Sequence, residues 1–320
     1  MSPARGSSGG RAGRGKSSGG RQAPPPTRLR PGTRRTRPIP SERRGQLGRG
    51  PGAGSGAGGG GGGRPKGDRR ALGGDQVEGR QAVRELLIAG RRKVREIWIS
   101  SDAEAAPILS DIREMAEVGR VQVRDVGRGR FAAQARCEAP QGVLALAAPL
   151  DEVDLDDLVG AGSGKNRQAP FLVALDGVTD PGNLGAVLRS AECAGVSGVV
   201  LPRHRAVHVT PAATKAAAGA IEHMRFSIVG GLPTGLARLR DAGVTTIGLD
   251  SAAPRSIYDL AEVDGPVCLV LGAEGRGLSR LVRARCDDVV AIPMKGRLAS
   301  LNVSAAAALA CFEIARHRSA

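Results

Sequence analysis

The stretch FLVALDGVTDPGNLGAVLRSAECAGVSGVVLP (171–202) contains the pattern that decides the fold class. It begins with the apolar run FLVALDGV and ends with a second one, GVVLP, and each is typical of a buried strand. Between them, Asp180 can cap a helix, Pro181 suits its first position, and Gly195 can end it. Two buried strands joined by a helix predict a parallel strand–helix–strand unit.

Toward the C-terminus the same alternation of strand and helix patterns continues. The strands are expected at RFSIV (225–229), VTTIGLD (244–250), PVCLVLG (266–272) and DVVAIPM (288–294), and the helices near 211–221, at 232–242 and in the Ala-rich run 300–316. Because these strands are apolar on both faces, the pattern predicts an α/β domain over 170–320. Its sheet should be mainly parallel and covered by helices on both sides.

Toward the N-terminus, residues 75–150 show a smaller pattern of the same class. Strands are expected at VREIWIS (94–100), VQVRDV (121–126) and QGVLALAA (141–148), and helices in VEGRQAVRELLIAG (77–90) and around 104–118. The length predicts a compact α/β domain. The stretch 151–169, first acidic and then rich in Gly and Ser, is typical of an interdomain linker.

Residues 1–74 have the composition of a disordered segment. The chain carries a formal net charge of +16, and 17 of its 47 Lys and Arg residues but only two of its 31 acidic residues precede Asp75. This segment contains none of the aromatic residues and is rich in Gly, Ser and Pro, so it cannot bury enough apolar surface to fold. It is either a solubilising extension or an electrostatic arm for a polyanion such as RNA, and the charge favours the arm.

The composition also argues against several classes of protein. There is no apolar run of eighteen residues that would span a membrane, and the N-terminal sequence has no apolar core of a secretory signal. The five cysteines are scattered without a CxxC pair, which favours a reduced, cytoplasmic location. His204 and His208 are four residues apart, but no nearby Cys or carboxylate completes a ligand set, so no metal site is expected.

Two glycine-rich motifs are weak evidence for a nucleotide site. GAGSGK (160–165) has Val159 at the first Gly position of a phosphate loop and Asn166 after its Lys, so it does not match. GAEGRG (272–277) follows a strand but is not GxGxxG and has no acidic residue at the end of a following strand. By itself it indicates only a tight strand-to-helix turn that a ligand can approach closely.

Three motifs taken together are much more specific. They are LDGVTDPGNLGAVLRSAECAG (175–195), LVLGAEGRGLS (269–279) and IPMKGRLASLNVSAAAALACFEIAR (292–316). Their order, spacing and content resemble the SpoU (TrmH-like) branch of the SPOUT RNA 2′-O-methyltransferases. VEGRQAVRELL and QGVLALAAP also resemble the ribosomal-protein-like RNA substrate-binding domain of that family, so the resemblance covers nearly everything outside the tail.

The resemblance implies a site and a cofactor, S-adenosylmethionine (SAM). By their motif positions, the catalytic residues would be Asn183, Arg189, Glu274, Ser300 and Asn302, and the residues lining the cofactor would be Leu249, Gly272, Ile292 and Leu301. It further implies a trefoil knot in the domain over 170–320, in which the last strand, loop and helix are threaded through a loop, against the usual topology. Enzymes of this branch are typically homodimers with the active site at the subunit interface.

The residue types suit methyl transfer to a ribose hydroxyl, which needs alignment and removal of a proton but no metal. The resemblance makes Arg189 the general base or proton relay, and the alternative is that it holds an RNA phosphate bidentately. Asn183 and Arg189 are six residues apart on one helix and therefore project roughly 120° apart. They can converge if Asn183 lies in the first turn.

The substrate follows from the accessory domain that the resemblance implies. A fused ribosomal-protein-like domain resembles the enzymes that methylate a guanosine of large-subunit (23S) ribosomal RNA, whereas enzymes of this branch that act on transfer RNA usually have a different extension. Alternatives are a transfer-RNA or antibiotic-resistance ribosomal methyltransferase, or a non-catalytic RNA-binding assembly factor. Family members often have His before the Gln-Gly near 141, and Pro140 stands there in this chain.

Overall fold

The structure is a computed structural model that describes residues 72–160, 169–204, 209–260, 263 and 265–318. The predicted disordered tail lies outside the described residues as far as residue 71. Its last three residues belong to the fold, because Leu72 is buried and its carbonyl oxygen accepts a hydrogen bond from the backbone N of Leu150 (2.9 Å). The folded part therefore begins three residues earlier than the sequence predicts. The sequence did not show this boundary, because a single Leu within a Gly-rich stretch does not indicate that it packs against residues far along the chain.

The first part of the chain forms a small domain around a four-stranded sheet. Its strands are β1 (Gln76–Glu78), β2 (Val94–Ser100), β3 (Gln122–Val126) and β4 (Val143–Ala147), and its helices are α1 (Arg80–Ala89), α2 (Pro107–Val118) and α3 (Arg128–Gln134). The strand order is β1-β4-β2-β3, with β2 and β3 parallel and the other pairs antiparallel. The sheet is therefore mixed, and α1 and α2 pack together over its main apolar cluster.

The second part forms a large domain around a seven-stranded, fully parallel sheet. Its strands are β5 (Phe171–Asp176), β6 (Gly198–Pro202), β7 (Arg225–Val229), β8 (Thr245–Leu249), β9 (Arg255–Ser256), β10 (Val267–Gly272) and β11 (Asp288–Ala291). The order is β7-β6-β5-β10-β8-β11-β9. The α/β class and the parallel sheet predicted from the alternation are confirmed. The trefoil knot stays a prediction.

Helices cover both faces of this sheet. They are α4 (Leu155–Gly160), α5 (Pro181–Cys193), α6 (Pro211–Ala216), α7 (Leu232–Asp241), α8 (Arg280–Arg283) and α9 (Val303–Arg318), with short 3-10 turns at Ala220–His223 and Ile257–Asp259. Alternate residues of β5 point to opposite faces: Val173 joins the cluster under α5, α6 and α9, and Leu172 joins the cluster under α4 and α7. Burial on both sides explains why the strands are continuous apolar runs.

Part of the predicted linker over 151–169 packs on the large sheet. Leu155 and Leu158 of α4 are buried in the cluster under α4 and α7, and Glu152 forms a bridge with Phe226 of β7. The acidic residues between the two leucines face solvent, so the helix is amphipathic but too short to show a clear period in the sequence. The rest of the predicted linker, 161–168, lies outside the described residues.

The sequence prediction also lacked the short helices α3 and α8, and strand β1 takes the start of the helix expected at 77–90. Further differences lie at element ends. The helix expected near 211–221 stops at Ala216, because Ala218 (φ +50°) and Gly219 (φ +90°) are both left-handed, and a 3-10 turn follows at 220–223. The strand expected at 288–294 stops at Ala291, two residues before Pro293, which cannot donate a hydrogen bond to a neighbouring strand. No helix in the described part of the chain is long and apolar enough to cross a bilayer.

Candidate active site

The site lies at the edge of the large sheet where the parallel strands end. β5 ends at Asp176, beside Gly272 at the end of β10, and Leu249 at the end of β8 lies next to Leu271. Because carboxyl ends of parallel strands share one edge, the loops that follow them meet there. The first and second motifs contain the loops after β5 and β10, and the third motif contains the loop after β11, the strand that pairs with β8.

The glycine-rich loop after β10 is closed on itself. Ala273 and Gly277 exchange two backbone hydrogen bonds (3.1 and 2.9 Å), and Gly275 and Gly277 have φ values of +75° and +64°. A Cβ at position 272 would overlap the backbone of Gly277 and lie 2.5 Å from the backbone N of Leu278. Gly272 is therefore required by the close approach of its own chain, a reason additional to the cofactor contact that the resemblance implies.

A polar chain joins the three motifs. The side-chain Nδ2 of Asn183 donates to Oε2 of Glu274 (3.0 Å), and Nδ2 of Asn302 donates to Oδ1 of Asn183 (3.0 Å). The backbone N and the Oγ of Ser304 donate to Oδ1 of Asn302 (2.8 and 2.6 Å). We call these four residues, Glu274, Asn183, Asn302 and Ser304, the motif chain. Each amide in it both donates and accepts, which fixes its orientation.

The start of α5 sets the position of Asn183. Asp180 caps the helix, since its Oδ1 accepts from the backbone N of Asn183 (2.7 Å), and Pro181 occupies the first helical position. Asn183 therefore lies in the first turn and reaches across to Glu274 and Asn302. The sequence identified Asp180 as the cap, and the structure adds that this cap orients a residue of the motif chain.

Arg189 is a predicted site residue that neither belongs to the motif chain nor lines the two cavities beside it. It is exposed on α5 and makes no hydrogen bond or ion pair with any described residue. Asn183 in the first turn is not enough to make the two side chains converge within one chain. Arg189 lies six residues further along the helix, about 1.7 turns or roughly 9 Å along its axis.

Two adjoining cavities open at the motif chain. The first, of about 430 Å³, is lined by all four predicted cofactor residues, Leu249, Gly272, Ile292 and Leu301, and by Ser300. The second, of about 340 Å³, is lined by residues of the α5 entry, among them Thr179, Asp180 and Asn183. The two cavities share a wall that includes Glu274 and Arg276.

The first cavity fits SAM by size and chemistry. Its volume is in the range of about 300–1,000 Å³ that is typical of small-molecule sites. Leu249, Leu271 and Ile292 provide apolar walls for a nucleoside, and the exposed backbone of the loop 273–277 provides polar groups. These residues, which could hold the cofactor, lie at the ends of β8, β10 and β11.

The described residues provide little for metal or thiol chemistry at this edge. No group of three His, Cys, Asp or Glu side chains that could hold a metal occurs within the described ranges. Burial, with nearby Asp287, raises the pKa of Cys286 to about 12, and burial raises the pKa of Cys311 to about 12 as well. Both therefore remain protonated thiols at neutral pH and are poor nucleophiles.

Comparison with known proteins gives two family matches. Residues 170–312 match the SpoU rRNA Methylase family, and residues 76–153 match the RNA 2′-O ribose methyltransferase substrate-binding domain. A relative from Photobacterium profundum, named 23S rRNA (guanosine-2′-O-)-methyltransferase RlmB, is 36% identical over 77% of this chain and 99% of its own. The chain belongs to the SpoU rRNA methylase family. As a member of it, the chain is an RNA 2′-O-methyltransferase.

Two further relatives extend this comparison. One from Bacillus subtilis, named YacO, is 36% identical over 76% of this chain and 96% of its own, and its name assigns it to the TrmH family of tRNA/rRNA methyltransferases. The solved structure of the SpoU methyltransferase AviRb from Streptomyces viridochromogenes, in complex with AdoMet, has a TM-score of 0.63 and 25% identity. It covers 77% of this chain and 90% of AviRb.

Sequence reasoning missed several residues that build this SpoU site. Ser304 fixes Asn302, and the carboxylate of Asp176 accepts from the backbone N of Ser279 (2.6 Å), which anchors the end of the glycine-rich loop. Asp250, just after β8, forms an ion pair with Arg283. The sequence held one signal for Asp176 and Asp250: each is the charged residue at which an apolar strand pattern ends.

Proposed function

We propose that this chain transfers a methyl group from SAM to the 2′-hydroxyl of a guanosine in 23S ribosomal RNA. The motif chain carries the proposal, because it joins Asn183, Glu274 and Asn302 from three distant motifs at the rim of a cavity that fits SAM. The name of the Photobacterium relative supports the 23S guanosine as the target. The AviRb complex supports SAM as the cofactor.

SAM, when bound, supplies a methyl group on a sulfonium, which a ribose oxygen can attack in line. This chain contributes the position and the proton handling. Glu274, which lines both cavities, holds Asn183 from one side and Asn302 holds it from the other, so the amide of Asn183 has a fixed orientation in the wall of the second cavity. Ser300 lines the first cavity and makes no hydrogen bond with a described residue, so its hydroxyl is available to the ribose.

A second copy of the chain would complete the site. The outward sides of α5 and α9, two helices that pack together, carry Arg189, Cys193, Leu309 and Phe312, and the last two are 46% and 52% exposed. Exposed large apolar side chains on neighbouring helices favour a protein interface. We therefore propose a homodimer in which the partner covers this face of α5 and α9 and Arg189 reaches the active site across the interface. Phe312→Glu should convert the dimer to a monomer, and the mass measured by light scattering should halve. Val118→Glu, on the small domain, should leave the mass unchanged.

Within this arrangement Arg189 is the base, the proton relay or the holder of an RNA phosphate. A guanidinium stays protonated in water, so removal of the ribose proton by Arg189 requires a partner that takes up or shares its charge. A neighbouring RNA phosphate is such a partner and would also be held bidentately.

A ribosomal RNA substrate implies that the reaction takes place in the cytoplasm, the location that the scattered cysteines predict.

The test is transfer of labelled methyl from SAM to isolated RNA. Unmodified 23S ribosomal RNA should incorporate about one methyl group per molecule, and transfer RNA should incorporate none. Incorporation into transfer RNA alone would favour the alternative, for which the name of YacO leaves room. No incorporation into either RNA, with Arg189→Ala behaving as wild type, would contradict catalysis.

A further inference from the structure

The contact between the small and large domains contains a fully buried ion pair. Nη1 of Arg92 lies 2.9 Å from Oε1 of Glu222, and the two side chains are 1% and 0% exposed. Arg92 follows α1 in the small domain, and Glu222 lies in the 3-10 turn of the large domain. Charged side chains are almost never buried so completely unless they are paired, so this pair is a specific feature of the contact.

Arg92 is held in the small domain by two further hydrogen bonds. Its Nε donates to the carbonyl oxygen of Ala148 (2.5 Å), and its Nη2 donates to that of Gly74 (2.6 Å). The three nitrogens of the guanidinium therefore connect three segments: the residue after β4, the segment before β1 and the 3-10 turn of the large domain. A planar group with three fixed partners permits one orientation, which a flexible Lys side chain would not impose.

Neighbouring contacts add to the same orientation. Nη1 of Arg91 donates to the carbonyl oxygen of Met224 (2.6 Å), and Nε2 of His223 lies 2.9 Å from Oε2 of Glu85. A Cβ at Gly219 would overlap Cβ of Glu85 and lie 2.8 Å from its Cγ, so the two backbones approach closely. This close approach explains why the chain has Gly at a position with φ +90°.

The large-domain side of the contact leads to the active site. The 3-10 turn follows α6, and α6 packs tightly on α5, since a Cβ at Gly185 would overlap Ala216 and lie 2.6 Å from the carbonyl oxygen of Ala213. Gly185 is two residues beyond Asn183 of the motif chain. Continuous packing therefore connects the domain contact, through α6, to the helix that carries a site residue.

The energetics favour positioning over stability as the role of this pair. Domains of one chain move relative to each other unless their interface is large and apolar. A buried ion pair contributes little net stability, because desolvation offsets the attraction, but its hydrogen bonds are directional. Oε2 of Glu222 has no hydrogen-bond partner among the described residues, and burial raises the pKa of Glu222 against the opposing effect of Arg92. An apolar pair would avoid this cost.

We propose that Arg92 and Glu222, which we call the domain clamp, hold the RNA-binding small domain in one orientation and thereby determine which ribose reaches the methyl-transfer site. They are positioning residues, and the inference rests on the proposed function. Without the clamp, the small domain would sample several orientations. RNA held by both domains would then meet a competent arrangement for only a fraction of the time, which raises its apparent dissociation constant in inverse proportion.

The test uses Arg92→Met combined with Glu222→Met, which removes both charges and keeps the volume. Replacing a buried ion pair by apolar residues is often neutral for stability. Because the carbonyl oxygens of Ala148 and Gly74 also lose their donor, the variant should be less stable than wild type but still fold and bind SAM. With a 23S RNA fragment that spans both domains, KM should rise about tenfold and kcat should change less than about twofold, as expected for a competent fraction of one tenth. Mapping should show methylation at neighbouring riboses.

A matched control and a second variant make the outcome decisive. Arg238→Met with Asp154→Met removes an exposed pair of the large domain and should change neither KM nor the map. Arg92→Lys keeps the buried charge but loses the forked donors, so it should raise KM in the same way but by a smaller factor. This variant carries the test if the double variant does not fold. Hydrogen exchange of the amides in 219–224 should increase in both clamp variants.

Three results would overturn the domain clamp. The first is that the clamp variants keep the wild-type KM and methylation map. The second is that they lose kcat equally on a spanning RNA fragment and on a short hairpin that reaches only the large domain. The third is that hydrogen exchange of the amides in 219–224 does not change. The wild type is assayed in parallel. If it methylates no RNA, the proposed function fails, and the exchange measurement still decides whether the clamp fixes the domain contact.

Discussion

The motif chain and the domain clamp connect distant parts of the sequence in opposite ways. The motif chain consists of exposed or half-exposed side chains that bond mainly to one another, whereas the clamp is buried and its Arg92 bonds to three separate segments of the chain. Groups that meet a substrate must remain open to it. Groups that orient a domain gain by being enclosed. Substitutions in the motif chain should therefore change the chemical step, and substitutions in the clamp should change substrate positioning.

The largest effect is expected at Arg189, which belongs functionally with the motif chain although it lies apart from it. Arg189→Ala should lower kcat by roughly 10²- to 10⁴-fold, the contribution typical of general acid–base groups, without a change in melting temperature. Single-turnover methylation measures it, and Arg240→Ala, an exposed arginine on α7, is the control. If only KM for RNA rises and Arg189→Lys restores it, Arg189 holds a phosphate and does not handle the proton.

A smaller effect is expected within the motif chain itself. Asn302→Ala removes the bond to Asn183 and leaves Ser304 without its acceptor, so kcat should fall roughly 10- to 100-fold, the equivalent of about 1.4–2.7 kcal/mol. Thermal unfolding should be nearly unchanged because the residue is exposed. Ser304→Ala should show a fraction of this loss. A large loss of stability in Asn302→Ala would remove the distinction between the motif chain and the clamp.

The glycine-rich loop lies between these extremes, since its backbone is packed but it borders the cofactor cavity. Gly272→Ala places a methyl group against Gly277 and Leu278, and relieving such overpacking costs about 1–3 kcal/mol. The loop should shift, and SAM affinity measured by calorimetry should fall about tenfold. Gly265→Ala, at a position where a Cβ meets nothing, is the matched control. Equal SAM binding by both variants would show that the loop does not contact the cofactor.

The sequence predicted the fold class well because parallel strands buried on both sides appear as apolar runs. It missed α3 and α8, which are short, and placed a linker where α4 packs. It extended α6 to residue 221 because the reason for stopping, the approach of Glu85 to Gly219, is a contact between residues far apart in the chain. The same applies to Arg92 and Glu222, since nothing local marks a charged residue as buried.

The site divides in the same manner. Motif resemblance identified Asn183, Glu274 and Asn302, which the structure brings together, and the four cofactor residues, which line one cavity. It did not indicate that Arg189 would face away from them, because the direction of a side chain on a helix depends on how the helix packs. The sequence did not indicate Ser304, because a Ser at the start of an Ala-rich helix gives no sign of the two hydrogen bonds that it donates to Asn302.

The smallest effect is expected from the basic tail. Unlike the motif chain and the domain clamp, which act through directed hydrogen bonds, the tail contributes long-range electrostatic attraction to RNA. Deletion of residues 1–71, which spares the buried Leu72, should weaken RNA binding a few-fold at low salt and reduce the slope of log affinity against log salt. The methylated nucleotide should not change, because phosphate contacts carry no sequence information. A changed target, or no methylation at saturating RNA, would contradict this division of roles.

The most direct test of the central claim is a map of 2′-O-methyl groups in ribosomal RNA from cells with and without this chain. The account predicts that one guanosine of 23S ribosomal RNA loses its methyl group when the chain is absent. Wild-type chain should restore the modification, and Arg189→Ala should not. An unchanged ribosomal RNA map, or restoration by Arg189→Ala to the wild-type level, would contradict the account.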